Sequence, residues 1–230
     1  MKELLGETLF FGVVVSLLSY ELGLWMKRKW KLAIFNPLLI SIIAVIVVLL
    51  VFKVDYETYN EGAKYLSYLL TPATICLAVP LYEQVELLKK NVTAILVGII
   101  SGALASMTCV LLLSIVFGLS HEEYVTLLPK SITTAIGMGV SEELGGIVTI
   151  TVAVIVITGV MGNMIAEHVC RIFKIKDPIA KGIGIGSASH AIGTARAMEM
   201  GEVEGAMSGL SIAVSGVVTV ILSMVYVYFW

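Results

Sequence analysis

Long apolar runs separated by short charged segments dominate this chain. Residues 92–119, 147–170 and 205–230 form predominantly apolar runs, each longer than the roughly 20 residues that a helix needs to cross a bilayer. Two more such runs, 4–25 and 32–52, stand near the amino terminus. The pattern predicts an all-α, polytopic membrane helical bundle.

A further apolar segment, 65–82, is interrupted by Pro72 and Pro80. Proline inside a helix removes a backbone donor and bends or breaks the helix. We therefore predict helix breaks at both prolines, so that this segment is either a kinked span or a discontinuous one. The polar segment before it, 53–64, is expected to be a connection between spans.

Two stretches between the apolar runs carry polar residues at membrane depth. Residues 125–146 hold Lys130 and several hydroxyl side chains, and residues 181–201 alternate glycine with serine and threonine around His190 and Arg196. Polar and ionisable residues inside a membrane usually face a cavity, a partner or a substrate path, and glycine permits helix breaks. We interpret both stretches as broken or re-entrant helices. For the second, the alternative is a small-residue packing seam with one buried arginine.

The two polar stretches are also related in sequence. A shift of 60 residues aligns them with eight identities in 23 positions and places Lys130 on His190. We infer an inverted repeat with units 125–172 and 182–230, each a hairpin that re-enters the membrane followed by one span. Inverted repeats whose broken helices meet near the midplane are typical of secondary transporters. The alternative is that both stretches cross the membrane as kinked helices.

Composition supports a membrane protein with almost no soluble part. The chain is 58% hydrophobic and only 14% charged, with a mean hydropathy of +0.98, whereas soluble domains are about 25% charged. Its net charge of −2 does not suggest a nucleic-acid partner. The basic segments 26–31 and 171–181 are expected on the cytoplasmic side, which predicts a multi-pass protein of the cell inner (cytoplasmic) membrane. We expect a single integral membrane domain, 1–230, comprising N-terminal scaffold spans (1–64), a first broken segment plus span (65–124) and the two repeat units.

The broken stretches suggest an anion site. Two half-helix amino termini aimed at one point present backbone N–H groups that favour an anion. Lys130, His190 and Arg196 add positive charge, arginine can hold a carboxylate through two parallel hydrogen bonds, and His190 could couple transport to protons. The candidate substrate-binding residues are Lys130, Ser131, Thr133, Thr134, Asn163, Ser187, Ser189, His190, Thr194 and Arg196.

Structural roles are the alternatives for the charged members of this set. Lys130 could snorkel to the membrane interface. Arg196 could pair with Glu199 or Glu202, which follow it closely in sequence.

Other chemistries have little support in the sequence. No GxGxxG motif follows a strand, no GxSxG motif is present, and His121 and His168 have no ligand partners nearby in sequence. Cys76, Cys109 and Cys170 are far apart and lack metal-ligand spacing. We expect no metal, no cofactor and no enzymatic activity.

Three segments resemble the signature regions of the LrgB/CidB family: LLTPATICLAVPLY (69–82), PKSITTAIGMGVSEELGG (129–146) and GIGIGSASHAIGTARA (182–197). The resemblance covers essentially the whole chain, and the run SHAIGTARA is its most specific part. The family is similar to the C-terminal part of the plastid glycolate/glycerate transporter, and its bacterial members are often called antiholin-like.

The resemblance implies a membrane transporter, or a subunit of one, for small 2-oxo or 2-hydroxy monocarboxylates such as pyruvate, glycolate or glycerate. Its alternative implication is an antiholin-like regulator of murein hydrolase export and cell lysis. The expected partners are the carboxylate substrate, the lipid bilayer, a small membrane protein of the LrgA/CidA type and further copies of the same chain in a homo-oligomer.

Overall fold

The computed structural model describes residues 10–30, 35–69, 72, 75–76 and 78–230, and every regular element among them is a helix. The chain divides into two compact units, 1–76 and 77–230. The predicted all-α fold is therefore confirmed, and each unit is described separately.

The first unit contains three helices. Helix α1 covers Phe11–Trp30, α2 covers Pro37–Phe52 and α3 covers Tyr56–Ser67. The side chain of Asn36 caps α2 by accepting hydrogen bonds from the backbone N–H groups of the second and third helical residues, and proline occupies the first helical position. Both features favour a helix start because they satisfy or remove donors that lack a helical acceptor.

One predicted boundary in this unit is wrong, and one predicted connection has helical structure. The polar segment 53–64, predicted as a connection between spans, is mostly helix α3. It packs closely on α1, because a Cβ on Gly12 would lie 2.2 Å from the Tyr59 carbonyl oxygen and the hydroxyls of Ser16 and Tyr59 are 2.7 Å apart. Helix α1 continues to Trp30 and not only to residue 25, and the basic residues in its last turn are favourable at a helix carboxyl end.

The prolines predicted to break segment 65–82 are only partly described. Pro80 lies within the short helix α4, Ala78–Glu83. The course of the chain around Pro72 lies mostly outside the described residues.

The second unit is built around three long apolar helices. These are α5 (Val85–Phe117), α8 (Val148–Ile172) and α10 (Glu202–Tyr226), and α10 is followed by a short 3₁₀ helix, Val227–Phe229. All three are long and apolar enough to cross a membrane. They agree with the runs predicted as spans and show a helical membrane protein.

The first polar stretch forms a hairpin. It consists of α6 (His121–Leu127), a turn at 128–133 and α7 (Thr134–Glu143). Its two ends lie together, because a Cβ on Gly146 would be 2.7 Å from the Ser141 hydroxyl and 3.0 Å from the Thr126 nitrogen. We call this element, 121–143, the first hairpin and its turn, 128–133, the first tip.

A capping box begins the first hairpin. The Ser120 hydroxyl accepts from the Glu123 N–H, and the Glu123 carboxylate accepts from the Ser120 N–H at 2.7 Å. The bonds from the Ser120 backbone and hydroxyl hold the pKa of the Glu123 carboxyl below its usual value. This arrangement satisfies two donors that a helix start otherwise leaves free.

The second polar stretch is also a hairpin. Helix α9, Pro178–Met200, contains two consecutive non-helical residues, Ser189 and His190. A Cβ on Gly193 would lie 3.2 Å from Cγ2 of Ile185, although residues eight apart in a straight helix are separated by about 12 Å. The two halves therefore fold back on each other. We call 178–200 the second hairpin, with a first arm (178–188), the second tip (189–190) and a second arm (191–200).

Both tips lie against the middle part of the spanning helices. On α5, Gly102 lies against Ser187 beside the second tip, and one turn further Ser106 hydrogen-bonds Ser131 of the first tip at 3.0 Å. On α8, the side chain of Ile155 packs directly against Gly137 of the first hairpin. The backbone carbonyl of Ile155 accepts the hydrogen bond from His190. All these contacts fall in the middle part of their spanning helices.

The hairpins enter from opposite ends of α8. Thr151, near the start of α8, donates to the Thr126 carbonyl at the open end of the first hairpin. Ala166, near its other end, packs with Ala197 on the second arm. Because the open ends lie at opposite ends of one spanning helix and both tips lie between them, both stretches re-enter, and the alternative of two kinked crossings is wrong.

The structure agrees with the predicted inverted repeat, but the starts of the second arms are not related by the predicted shift of 60 residues. The shift of 60 pairs Thr134 with Thr194. In the structure Thr134 begins α7, whereas the second arm begins at Ala191, so the helix starts are related by 191 − 134 = 57 residues. The residue that precedes each second arm is Thr133 in one hairpin and His190 in the other. His190 is thus the counterpart of Thr133 and not of Lys130.

Candidate site at the hairpin tips

His190 is the residue at which the second hairpin turns. Its backbone has φ 44° and ψ −144°, a region that residues with a Cβ rarely adopt. The side chain is only 3% exposed, and Nε2 lies 2.9 Å from the Ile155 carbonyl oxygen. Because a carbonyl can only accept, Nε2 carries the proton, and in the neutral ring Nδ1 is an acceptor.

Two glycines of α8 make room for this turn. A Cβ on Gly159 would lie 2.6 Å from Cε1 of His190, and a Cβ on Gly162 would lie 2.2 Å from Cβ of Ser189. The next residue, Asn163, donates from Nδ2 to the Ile192 carbonyl at 2.8 Å. Residues on one face of α8 therefore contact the second hairpin both at the helix break and directly after it.

Hydroxyl groups hold the second tip from the other side. Thr194, which is fully buried, donates to the His190 carbonyl at 3.0 Å and lies 2.7 Å from the Ser208 hydroxyl of α10. Ser189 donates to the Ile185 carbonyl at 2.8 Å. These bonds compensate for helical hydrogen bonds that the break removes, as a chain inside a membrane requires.

The first arm of the second hairpin packs directly on the backbone of α10. A Cβ on Gly182 would lie 2.5 Å from the Glu204 carbonyl oxygen, and a Cβ on Gly186 would lie 2.3 Å from that of Ser208. Small residues four apart allow such close approach between membrane helices. The small-residue packing seam that we considered as an alternative for the second polar stretch is thus present in its first arm. The helix break comes directly after this arm.

The first tip carries an ammonium group without a carboxylate partner. Nζ of Lys130 donates to the Ser131 hydroxyl at 3.1 Å, and that hydroxyl also contacts Ser106 of α5. Lys130 is partly buried, and no acidic side chain among the described residues lies within ion-pair distance of it. An unpaired cation at membrane depth is costly, so this position favours an anionic ligand.

Both second arms begin at the tips. Thr133 is the residue before α7 and makes no side-chain capping bond, and Thr134 opens the helix. The second arm of the other hairpin begins directly after His190. The amino end of a helix bears partial positive charge and N–H groups without helical acceptors. Two such ends, together with Lys130, make the space between the tips favourable for an anion.

Ser187 and Arg196 differ in their distance from the tips. Ser187 lies against Gly102 of α5, two residues before the break, and donates to the Ile183 carbonyl at 2.7 Å. Arg196 is six residues beyond the break, about 9 Å along the second arm. Its guanidinium pairs with Glu199 at 2.5 Å and with Glu167 of α8. Pairing with Glu199 is the structural role that we considered as the alternative for Arg196.

The ten candidate residues thus form two groups and one outlier, Arg196. The group at the second tip comprises Asn163, Ser187, Ser189, His190 and Thr194. The group at the first tip comprises Lys130, Ser131 and Thr133, with Thr134 directly after them. The residues that contact this set were not predicted from the sequence, although the spacing of Gly159 and Gly162 just before Asn163 was a usable signal. The missed residues are Ser106, Ile155, Gly159, Gly162, Glu167 and Ser208.

The described part of the chain has no group of three or more His, Cys, Asp or Glu side chains that could hold a metal ion. The polar groups at the tips are instead hydroxyls, one amide, one imidazole and one ammonium. Apart from the ammonium, these groups are neutral hydrogen-bonding groups or the titratable imidazole. One cation among such groups suits the binding of a small organic anion.

Comparisons of this chain with a family model and with individual proteins give the same relatives. Residues 16–229 match the model of the LrgB-like family. The chain is similar to the antiholin-like protein LrgB of Bacillus mycoides (strain KBAB4), Bacillus cereus (strain B4264) and Bacillus anthracis (strain CDC 684 / NRRL 3495). Each is 40% identical over 223 residues, which cover 96% of this chain and 97% of the relative. No solved structure matches the chain.

Proposed function

This chain belongs to the LrgB-like family, and from that premise we propose that it transports small carboxylates across a membrane, alone or as a subunit of a carrier. The substrate binds between the two hairpin tips. Opposed re-entrant elements that meet at mid-membrane are the usual location of the site in secondary transporters.

The observation that carries this proposal is Lys130. It stands at the first tip, beside the start of α7, and has no acidic partner within ion-pair distance among the described residues. A protein that only packs against a partner has no need of an unpaired cation at this depth. A carboxylate would neutralise the ammonium and accept hydrogen bonds from the nearby hydroxyl and N–H groups.

The proposed substrates are small 2-oxo or 2-hydroxy monocarboxylates such as pyruvate, glycolate or glycerate. One ammonium group matches one carboxylate, and the hydroxyls of Ser131, Thr133 and Thr134 offer hydrogen bonds to an adjacent oxygen of such an acid. His190 is the residue that we propose for coupling to protons, because Nδ1 is not used by the bond to Ile155.

The test is uptake of labelled pyruvate, glycolate and lactate into proteoliposomes that contain only this purified chain, with and without a pH gradient. Saturable uptake of one acid that is competed by the others supports transport by this polypeptide. Uptake that appears only after a small holin-like membrane protein is added supports a two-subunit carrier. The absence of uptake in both preparations would contradict the proposal.

A second candidate function is favoured by the relatives. The curated proteins that match over nearly their whole length are called antiholin-like, and this supports regulation more directly than transport. In that role the chain would act with a small membrane protein of the LrgA/CidA type to control murein hydrolase export and cell lysis.

The two candidates differ in what Lys130→Gln should do. A regulator that acts through its surfaces keeps its effect on lysis after this change, because the first tip is not a docking surface. A transporter loses carboxylate uptake. Measuring lysis and uptake for the same variant, in the membrane of one host, separates the two functions.

Association with further copies of the chain and residence in the cell inner membrane are part of the proposal. Many large apolar side chains of α5, α8 and α10 are exposed, and these faces require lipid or other helices. Cross-linking in native membranes, followed by sizing of the products, measures self-association.

A further inference from the structure

Ion pairs tie both arms of the second hairpin to neighbouring helices at its open end. On the second arm, Arg196 pairs with Glu167 of α8 and with Glu199 of its own arm. On the first arm, Nζ of Lys181 lies 3.5 Å from Oε1 of Glu204 in α10. We call this open end, on the side of the basic segment 171–181, the mouth of the second hairpin.

The open end of the first hairpin is held differently. There the Thr151 hydroxyl contacts the Thr126 carbonyl at 2.9 Å and the Ser141 hydroxyl at 2.6 Å, and all three residues are buried. No ion pair among the described residues occurs at that end. The two hairpins are therefore unequal: among the residues that the structure describes, charges that water can reach tie only the second hairpin.

The apolar contact beneath the Arg196–Glu167 pair is small. Ala166 of α8, Ile185 of the first arm and Ala197 of the second arm form the buried cluster there. Two alanine methyl groups bury little apolar area, so they contribute little to holding the second arm on α8. At the mouth the ion pair therefore supplements a small apolar contact, whereas nearer the tip Asn163 and Gly159 of α8 hold the start of the second arm.

The same pair lies on the rim of an open cleft. The cleft has a volume of about 550 Å³, and its lining includes Glu167, Cys170, Lys181 and Arg196. Cys170 is only 9% exposed. A movement of the second arm away from α8 would widen this cleft and expose the thiol.

We infer that the Arg196–Glu167 pair is a latch that closes the mouth of the second hairpin against α8, and that its release lets the second arm move. The inference rests on the proposed function, because a site at the tips needs an opening on this side of the membrane. The bond between Arg196 and Glu199 lies within the second arm, and Glu167 also pairs with Arg171 within α8 at 3.3 Å, so neither of these two bonds crosses between the elements.

The strength of the pair suits this role. The side chains of Arg196 and Glu167 are 27% and 43% exposed, and exposed ion pairs change an equilibrium by at most about fivefold. An interaction of this size holds the closed arrangement without preventing its release in each transport cycle.

Cys170 reports directly on the latch. In a Cys76→Ser, Cys109→Ser background, the purified full-length chain is treated in lipid nanodiscs with a membrane-impermeant maleimide, and the labelling rate of Cys170 is measured across a range of pH. The plateau rate at high pH, where the thiol is ionised in every variant, is compared, because loss of the nearby Glu167 charge also changes the reactivity of the thiol directly. Glu167→Gln should raise this rate about two- to fivefold. Arg171→Gln, which removes the other ion-pair partner of Glu167 within α8, should leave it unchanged.

A double variant distinguishes release of the latch from general loosening of the fold. If Glu167 acts through Arg196, Glu167→Gln adds nothing to the labelling rate once Arg196→Gln is present. Equal rates in Glu167→Gln and Arg171→Gln, or additive effects in the double variant, would overturn the inference. Labelling requires no substrate, so a failure of uptake with the expected labelling result would count against transport and leave the latch standing.

Discussion

At the scale of single residues, the backbone of His190 gives the clearest prediction. A non-glycine residue at φ 44° is strained by about 1–3 kcal/mol, and glycine removes this strain. His190→Gly should therefore be more stable than His190→Ala by about 1 kcal/mol, measured as melting temperature in detergent. Both variants lose the ring, so its hydrogen bond does not affect the comparison.

Ala191, the next residue, is the control for this prediction. It lies in the second arm, where glycine costs about 1 kcal/mol relative to alanine, so Ala191→Gly should lower the melting temperature. If His190→Ala is the more stable of the two variants at residue 190, the helix is not broken there.

The glycines of α8 give a second residue-scale prediction. Gly159→Ala places a methyl group within 2.6 Å of the His190 ring, and such overpacking costs about 1–3 kcal/mol. Gly184→Ala is the matched control, because a Cβ at this helical position meets no atom within 4 Å. We expect a lower melting temperature for Gly159→Ala only. Equal melting temperatures would show that the ring does not lie against α8.

Single residues also show the limits of sequence reasoning. The alternation of glycine with hydroxyl residues predicted a break in 182–201, but the break falls on His190 and not on a glycine, because contacts with α8 impose it. Arg196 was predicted as a site residue from its type and neighbourhood. Its partner Glu167 lies 29 positions away in sequence, and no local sequence pattern predicts a contact over that separation.

At the scale of elements, the central prediction is that 178–200 is a hairpin and not a straight helix. Ile185 and Ala197 belong to one buried cluster, whereas twelve residues of a straight helix span about 18 Å. In a background without native cysteines, Ile185→Cys with Ala197→Cys should form a disulfide under mild oxidation, detected by mass spectrometry.

The control for this cross-link uses the same sequence separation on α8. Ala153→Cys with Ile165→Cys lie twelve residues apart on a helix that has no non-helical residue. We expect no intramolecular disulfide from this pair. The absence of a cross-link between 185 and 197, with both cysteines reactive, would show that α9 is straight.

The sequence predicted the elements better than their register. The apolar runs at 92–119, 147–170 and 205–230 all correspond to helices that can span a membrane. The repeat predicted two opposed hairpins, but its shift of 60 differs from the 191 − 134 = 57 residues between the helix starts. Small residues recur at many offsets in such stretches, so identities alone do not fix where a helix begins.

At the scale of the whole molecule, the unit formed by 77–230 combines three spanning helices with two hairpins that enter from opposite ends. The spanning helices hold both tips in the middle part of the unit through contacts at Gly102, Ser106 and Ile155. This arrangement places the unpaired ammonium of Lys130 and two helix starts in the middle of the bundle. The account of function depends on this one region.

The most direct test of that account is carboxylate uptake by Lys130→Gln compared with Lys90→Gln, both reconstituted in proteoliposomes at equal protein content. Lys90 is exposed near the start of α5, so its change controls for the loss of one positive charge. Loss of a charge-assisted hydrogen bond worth about 1.5–3 kcal/mol raises the half-saturating substrate concentration about 10- to 150-fold. We predict this rise for Lys130→Gln and unchanged uptake for Lys90→Gln. Identical saturation curves for the two variants would contradict a substrate site at the hairpin tips.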